Sequence, residues 1–284
     1  MNARPVKEVI EPQFVREGAG VRLRRSIATR QLDYLDPFLL FDHFGSDDPG
    51  DYLPGFPMHP HRGIETVTYV LDGVVSHKDS LGNSGTVGAG DVQWMTSGSG
   101  ILHEEMPQPK NGKMNGFQLW VNLPAKHKMT KPRYQDVLSV RIPRVSREGG
   151  VRIGVIAGEV DGVRGAVTEI HADPGYLDVS IPAGRSFGQP VSREHAACAY
   201  VFEGKGIFGA AVNGGGVKVS SPNLVVFGEG DSVLVRTDRH PVRFLLLSGK
   251  PLGEPIARYG PFVMNTKEEI DQALSDLRNG TFVR

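Results

Sequence analysis

His59-Pro60-His61 can place two imidazoles side by side. Alternate residues of an extended chain face the same way, and a proline between them disfavours a helix. One such pair among nine histidines in 284 residues is weak by itself. A second pair strengthens it. In Ile101-Leu102-His103-Glu104-Glu105-Met106, His103 and Glu105 share one parity and Glu104 faces the other way. Two β segments facing one interior would then gather three imidazoles and one carboxylate. Imidazole suits Zn, Cu, Fe and Ni. Four ligands leave two neighbouring positions of an octahedron open for substrate, oxygen or both. The competing readings are hydrogen-bonded histidines in polar loops and a structural zinc site, although the latter is usually rich in cysteine. Glu65, four residues after His61, shares its parity in a regular strand. It is therefore an alternative carboxylate ligand, or an acceptor for an imidazole N–H. The same parity puts Val67 and Tyr69 in the pocket lining. His43 reads as a turn residue, Trp94 and Trp120 as core, and Cys198 as a buried, inert thiol.

The elements that must carry these residues are short. Runs rich in Val, Ile, Phe and Tyr, such as Thr66–Leu71, Val92–Met95, Phe117–Leu123, Tyr176–Ile181 and Val242–Leu247, are separated by glycine-rich turns. That spacing predicts an all-β sandwich or barrel. One helix is expected near the end, with Thr266 and Glu269 forming a capping box, Ile270, Ala273, Leu274 and Leu277 on one stripe, and Gly280 as the stop.

A weak internal repeat divides the chain. Tyr69-Val70-Leu71-Asp72-Gly73 matches Tyr200-Val201-Phe202-Glu203-Gly204, and Gly88-Ala89-Gly90-Asp91-Val92 matches Gly228-Glu229-Gly230-Asp231-Ser232. Two collinear matches point to a duplicated β domain. The expected division is an N-terminal domain over 1–135, a polar linker over 136–150, and a C-terminal domain over 151–284 that ends in the helix. The first match sets Pro190, Ser192 and Ala196 against His59, His61 and Glu65. The second sets Arg243 and Leu245 against His103 and Glu105. None of these reproduces the ligands, so the second domain should hold no metal.

Composition excludes several classes. Lys plus Arg equals Asp plus Glu at 32 each, which gives no general attraction to nucleic acid or anionic lipid. A single cysteine rules out an internal disulfide framework and fits a reducing compartment. No apolar run reaches the roughly 18 residues of a membrane span. These features predict a cytoplasmic protein, or a nuclear one in a eukaryote, acting as a monomer without membrane or nucleic-acid partners.

The segments FPMHPHRGIETVTYVLDG (Phe56–Gly73), GDVQWMTSGSGILHEEMP (Gly90–Pro107), FQLWVNLP (Phe117–Pro124) and GPFVMNT (Gly260–Thr266) closely resemble the pirin family of the cupin superfamily. They span nearly the whole chain. The resemblance implies a bicupin, with two jelly-roll-like β-barrels face to face and Fe(II) in the N-terminal one only, one ion per chain, with other divalent transition metals as alternatives. It implies His59, His61, His103 and Glu105 as ligands, favouring Glu105 over Glu65. Glu104 departs from the small residue common in relatives. The implied activity is that of a quercetin 2,3-dioxygenase, opening a flavonol-like or other enolic aromatic substrate with O2, with Glu105 also acting as general base. The alternative is a redox-sensing regulator without enzymatic activity, working through a protein partner.

Overall fold

The computed structural model describes residues 2–108, 112–209 and 215–283. The chain forms two compact units, and each is discontinuous in sequence. Gln13–Ser139 joins Leu252–Arg284 in what we call the N-unit, and Met1–Pro12 joins Val140–Pro251 in the C-unit. The expected division therefore needs correcting at both ends. The opening strand β1 (Val6–Ile10) pairs within the C-unit sheet, and the closing helix belongs to the N-unit.

In the N-unit the chain runs through β2 (Gln13–Glu17), β3 (Val21–Ile27), β4 (Phe38–Ser46), the short helix α1 (Pro49–Tyr52), β5 (Phe56–His61), β6 (Ile64–Asp72), β7 (Val74–Asp79), β8 (Ser84–Val87), β9 (Val92–Thr96), β10 (Ile101–Gln108), β11 (Met114–Asn122) and β12 (Arg133–Val137). These build a seven-stranded sheet of order β12-β9-β6-β11-β4-β3-β2 and a four-stranded sheet of order β5-β10-β7-β8.

The C-unit continues with β13 (Arg144–Arg147), β14 (Val151–Ala157), the small hairpin β15 (Glu159–Val160) and β16 (Val163–Arg164), β17 (Gly175–Ile181), β18 (Ser186–Pro190), the long β19 (Ala196–Phe208), β20 (Val217–Ser220), β21 (Asn223–Phe227), β22 (Ser232–Arg236) and β23 (Val242–Gly249). Its sheet has ten strands, with the main path β1-β21-β19-β23-β17-β14-β13. The segment expected to be a linker instead supplies strands: β12 ends in it, and β13 pairs with β14.

The all-β expectation holds, but the barrels do not. The seven-stranded sheet ends at β12 and β2, the four-stranded at β5 and β8, and the main path of the ten-stranded at β1 and β13. A barrel requires its first and last strands to pair and so abolish the edges, and no sheet among the described residues closes in this way.

The chain then returns to the N-unit with the hairpin β24 (Ala257–Tyr259) and β25 (Phe262–Met264), followed by helix α2 (Lys267–Arg278). Thr266 accepts from the Glu269 N–H, and the Glu269 carboxylate accepts from the Thr266 N–H, so the capping box forms as expected. Ile270 and Ala273 are buried against Phe262, Met264 and Phe282. Helix α2 also fixes the residue beside a candidate ligand. Arg62 is 1% exposed and donates to Asp276 on α2 at 2.7 Å, to the Phe282 carbonyl at 3.1 Å and to the Ser99 carbonyl at 2.6 Å.

Pairing relates the two units strand by strand. β10 lies between β5 and β7, just as β22 lies between β18 and the second half of β19. β6 pairs β9 and β11, just as the first half of β19 pairs β21 and β23. The Tyr69 and Tyr200 segments are therefore equivalent. The glycine-rich match is not: Gly88–Asp91 leads into β9, whereas Gly228–Asp231 leads into β22, the counterpart of β10. Followed through the register, His59, His61, His103 and Glu105 correspond to Gln189, Val191, Val233 and Val235, all buried. These replace the positions expected from the repeat, and they too lack a ligand set.

Candidate metal centre

β5 and β10 pair antiparallel with His103 opposite His59 and Ile101 opposite His61. The three imidazoles converge, with ring centroids 4.5 Å apart for His59 and His103, 4.8 Å for His59 and His61, and 5.0 Å for His61 and His103. One nitrogen from each lies within 4.8 Å of the others. The β5–β10 register shifts between His103 and Glu105, while β10 remains in regular register with β7 through both. The extra residue therefore sits on β5. β10 keeps its alternation, with Ile101, His103 and Glu105 buried and Leu102, Glu104 and Met106 only partly so. Glu105 brings Oε2 to 3.9 Å from His103 Nε2, and Glu104 is on the other face.

The donor set suits a transition-metal ion. A carbonyl only accepts, so the 2.9 Å contact from His59 Nδ1 to the Pro57 carbonyl puts the proton on Nδ1 and leaves Nε2 its lone pair. Such a bond also orients a ligating ring. His61 Nδ1 and both His103 nitrogens are buried without a hydrogen-bond partner, an unfavourable arrangement unless something else satisfies them. Burial pushes the His103 pKa down to about 4 against the pull of Glu105. Burial, reinforced by the His103 and His59 rings, holds that of His61 well below its ordinary value. Both rings are thus neutral near pH 7, the form that coordinates.

Glu65 is not in this group. Gly63, at φ +82°, stands between β5 and β6, and a Cβ there would lie 2.0 Å from the Val263 carbonyl oxygen. The left-handed turn resets the alternation, so Thr68, not Glu65, reaches Glu105. Glu65 points to the opposite face of the seven-stranded sheet, where it accepts from Thr96 Oγ1 at 2.7 Å and burial raises its pKa. Val67 and Tyr69 share that face and do not line the pocket. His43 is in strand β4 rather than a turn, bonded to Asn115 at 2.9 Å and packed on Phe117. Trp94 is core as expected, but Trp120 stands edge-on to His61 at 5.1 Å and lines the cavity. Cys198 is buried, and burial pushes its thiol up to about 12.

His59, His61 and Glu105 open on a cavity of about 480 Å³ within the N-unit. Leu23, Leu40, Phe44, Tyr52 and Val75 give it apolar walls, while Gln118, Asp42 and Arg25 add polar groups. Thr68 donates to Glu105 Oε1 at 3.0 Å and lies 2.7 Å from Gln118 Oε1. Arg25 holds Asp42 with two bonds of 2.8 and 2.7 Å. These four residues were not singled out from sequence. The period-2 pattern of β6 was the available signal, and the parity carried over from His61 misdirected it.

The family profiles match this geometry in sequence. The pirin profile covers residues 20–121 and the pirin C-terminal cupin domain profile covers 176–283. A pirin-like protein of Caulobacter vibrioides is 45% identical over 285 residues, covering 99% of this chain and 100% of the relative. The chain belongs to the pirin family. Pirin of Homo sapiens is 44% identical over 93% of this chain and 88% of its own. Among solved structures, quercetin 2,3-dioxygenase from Acinetobacter baumannii aligns with a TM-score of 0.88 at 35% identity, covering 99% of this pirin and 98% of that chain. Among the described residues, no helix of this pirin is long and apolar enough to cross a membrane.

Proposed function

We propose that this pirin is an Fe(II)-dependent dioxygenase of the quercetin 2,3-dioxygenase type, with His59, His61, His103 and Glu105 as the metal ligands. The observation that carries this reading is a cluster of three imidazoles, two of them buried, with a carboxylate beside it, opening on an apolar cavity. Bound iron, or another divalent transition metal, would supply open coordination positions for a deprotonated enol and O2. The chain does the rest. The apolar walls take a flat aromatic body and keep water out. The Pro57 carbonyl and the edge of Trp120 hold the His59 and His61 rings. Glu105 accepts the proton of the substrate hydroxyl on a carboxylate oxygen. All of these residues come from one chain, which supports a monomer as the acting unit. The lone buried Cys198 is compatible with a reducing cytoplasmic setting. The name of the Acinetobacter relative supports a flavonol-like substrate.

The test is oxygen consumption by iron-loaded protein with a flavonol. We expect turnover in the wild type and its loss in His59→Ala and His61→Ala, with circular dichroism unchanged. A folded, iron-replete wild type that consumes no oxygen with any flavonol would overturn the enzymatic reading in favour of a redox-responsive regulator acting through a protein partner.

A further inference from the structure

Four residues lie in one cross-strand row on the cavity face of the seven-stranded sheet. Arg25 on β3 is paired with Asp42 on β4, Asp42 with Gln118 on β11, and Gln118 with Thr68 on β6. The same row in the C-unit follows from the shared register: Val155 with Leu177, Leu177 with Leu246, and Leu246 with Ala199. All four of these are buried in an apolar core. The fold does not require polar groups at these positions, so the N-unit row calls for another cause.

Its end is on Glu105. As placed, the Thr68 hydroxyl faces two oxygens, Glu105 Oε1 at 3.0 Å and Gln118 Oε1 at 2.7 Å. A hydroxyl has one proton, so it cannot donate to both. The oxygen and nitrogen of an amide exchange by a half-turn. With the Gln118 amide turned, one of its N–H groups donates to Thr68 Oγ1 and the Thr68 O–H donates to Glu105 Oε1, so the single hydroxyl proton has one acceptor. The bond to the carboxylate is charge-assisted and therefore the stronger one. It occupies Oε1, while Oε2 is the oxygen 3.9 Å from His103 Nε2.

We propose that Thr68 is a positioning residue that presents Glu105 to the metal through Oε2 alone, and that Gln118 acts through Thr68 by fixing the direction of its hydroxyl. This rests on the reading of Glu105 as a ligand and extends it. A metal held by one carboxylate oxygen keeps a coordination position that a two-oxygen carboxylate would fill.

Cobalt(II) as the probe ion tests this without turnover. Thr68→Val keeps the shape and removes the hydroxyl. It should lower Co(II) affinity about tenfold, the low end of what loss of a ligand's orienting partner costs, and change the visible ligand-field spectrum of the bound ion. Thr68→Ser should restore both. Gln118→Leu should give a smaller change of the same kind, and the double variant should be no worse than Thr68→Val, because Gln118 has no separate route to the ion. A Thr68→Val protein whose Co(II) affinity and spectrum match the wild type overturns the proposal. If that variant fails to fold, a Gln118→Leu protein with wild-type Co(II) affinity and spectrum overturns it equally. Wild type inactive on flavonols, with the Thr68→Val spectrum shifted, would instead remove the enzymatic reading and leave the positioning role standing.

Discussion

The interiors of the two units use the same register for opposite ends. In the C-unit, Phe187 and Phe208 both meet Phe244 edge to face, at 5.8 and 5.3 Å, and Val191, Val233 and Val235 fill the positions that carry His61, His103 and Glu105 in the N-unit. In the N-unit those positions hold polar groups, and the space beside them is left open as a cavity. Close apolar packing stabilises a domain without help. Buried imidazoles without partners cost stability until a ligand satisfies them. Duplication thus separates two demands that conflict within one core: the C-unit can be filled because the N-unit carries the chemistry.

The largest expected effect concerns metal. One ion per chain should bind. Glu105→Ala should weaken it at least as much as His103→Ala, while Glu104→Ala leaves it intact, as read by metal analysis after dialysis. Two tightly bound ions per chain would break the comparison, and loss of metal in Glu104→Ala would show the facing of β10 to be wrong.

Exchanging the rows comes next. Leu246→Gln puts an amide into the apolar core and should destabilise the protein by about 3 kcal/mol. Gln118→Leu at the equivalent position should change metal-free stability by no more than about 1 kcal/mol in either direction. Urea unfolding of both variants compares them, and equal losses would mean that the N-unit row is as structural as its counterpart.

The last expected effect is confined to acid pH. Burial pushes the His43 pKa down to about 4, with its bond to Asn115 opposing this. The unfolded chain takes up this proton near the ordinary value of about 6.5, before the folded chain does. Stability is therefore greatest above that value and falls as pH drops from there through 4. At about 1.4 kcal/mol per pH unit, His43 accounts for roughly 3.5 kcal/mol of acid loss. His43→Gln should flatten the unfolding-midpoint profile over that range, and an unchanged slope would assign the acid sensitivity to other groups.

The strands that gather the three imidazoles were legible because their signal is local. Two-residue spacing in His59-Pro60-His61 and His103-Glu104-Glu105 needs only an extended backbone, and the α2 capping box needs only four residues. What escaped was set by distant partners. Parity cannot be carried across Gly63, whose left-handed turn answers to the Val263 carbonyl two hundred residues later. Thr68 and Gln118 meet through a strand register fifty residues apart in sequence. The glycine-rich repeat misled because like turns precede strands in different places. The exchanged termini and the open sheet edges are likewise matters of pairing, which no window of sequence contains.

The Arg62–Asp276 bond bears on how the protein is made. Asp276 follows Arg62 by 214 residues. At a synthesis rate of about 5–20 residues per second, the two are separated by on the order of ten to forty seconds. Throughout that interval the side chain next to His61 lacks its acidic partner on α2. A nascent chain therefore lacks one anchor of the strand that carries His59 and His61 until α2 is made. A metal ion arriving before α2 is made would meet the strand of His59 and His61 without that anchor.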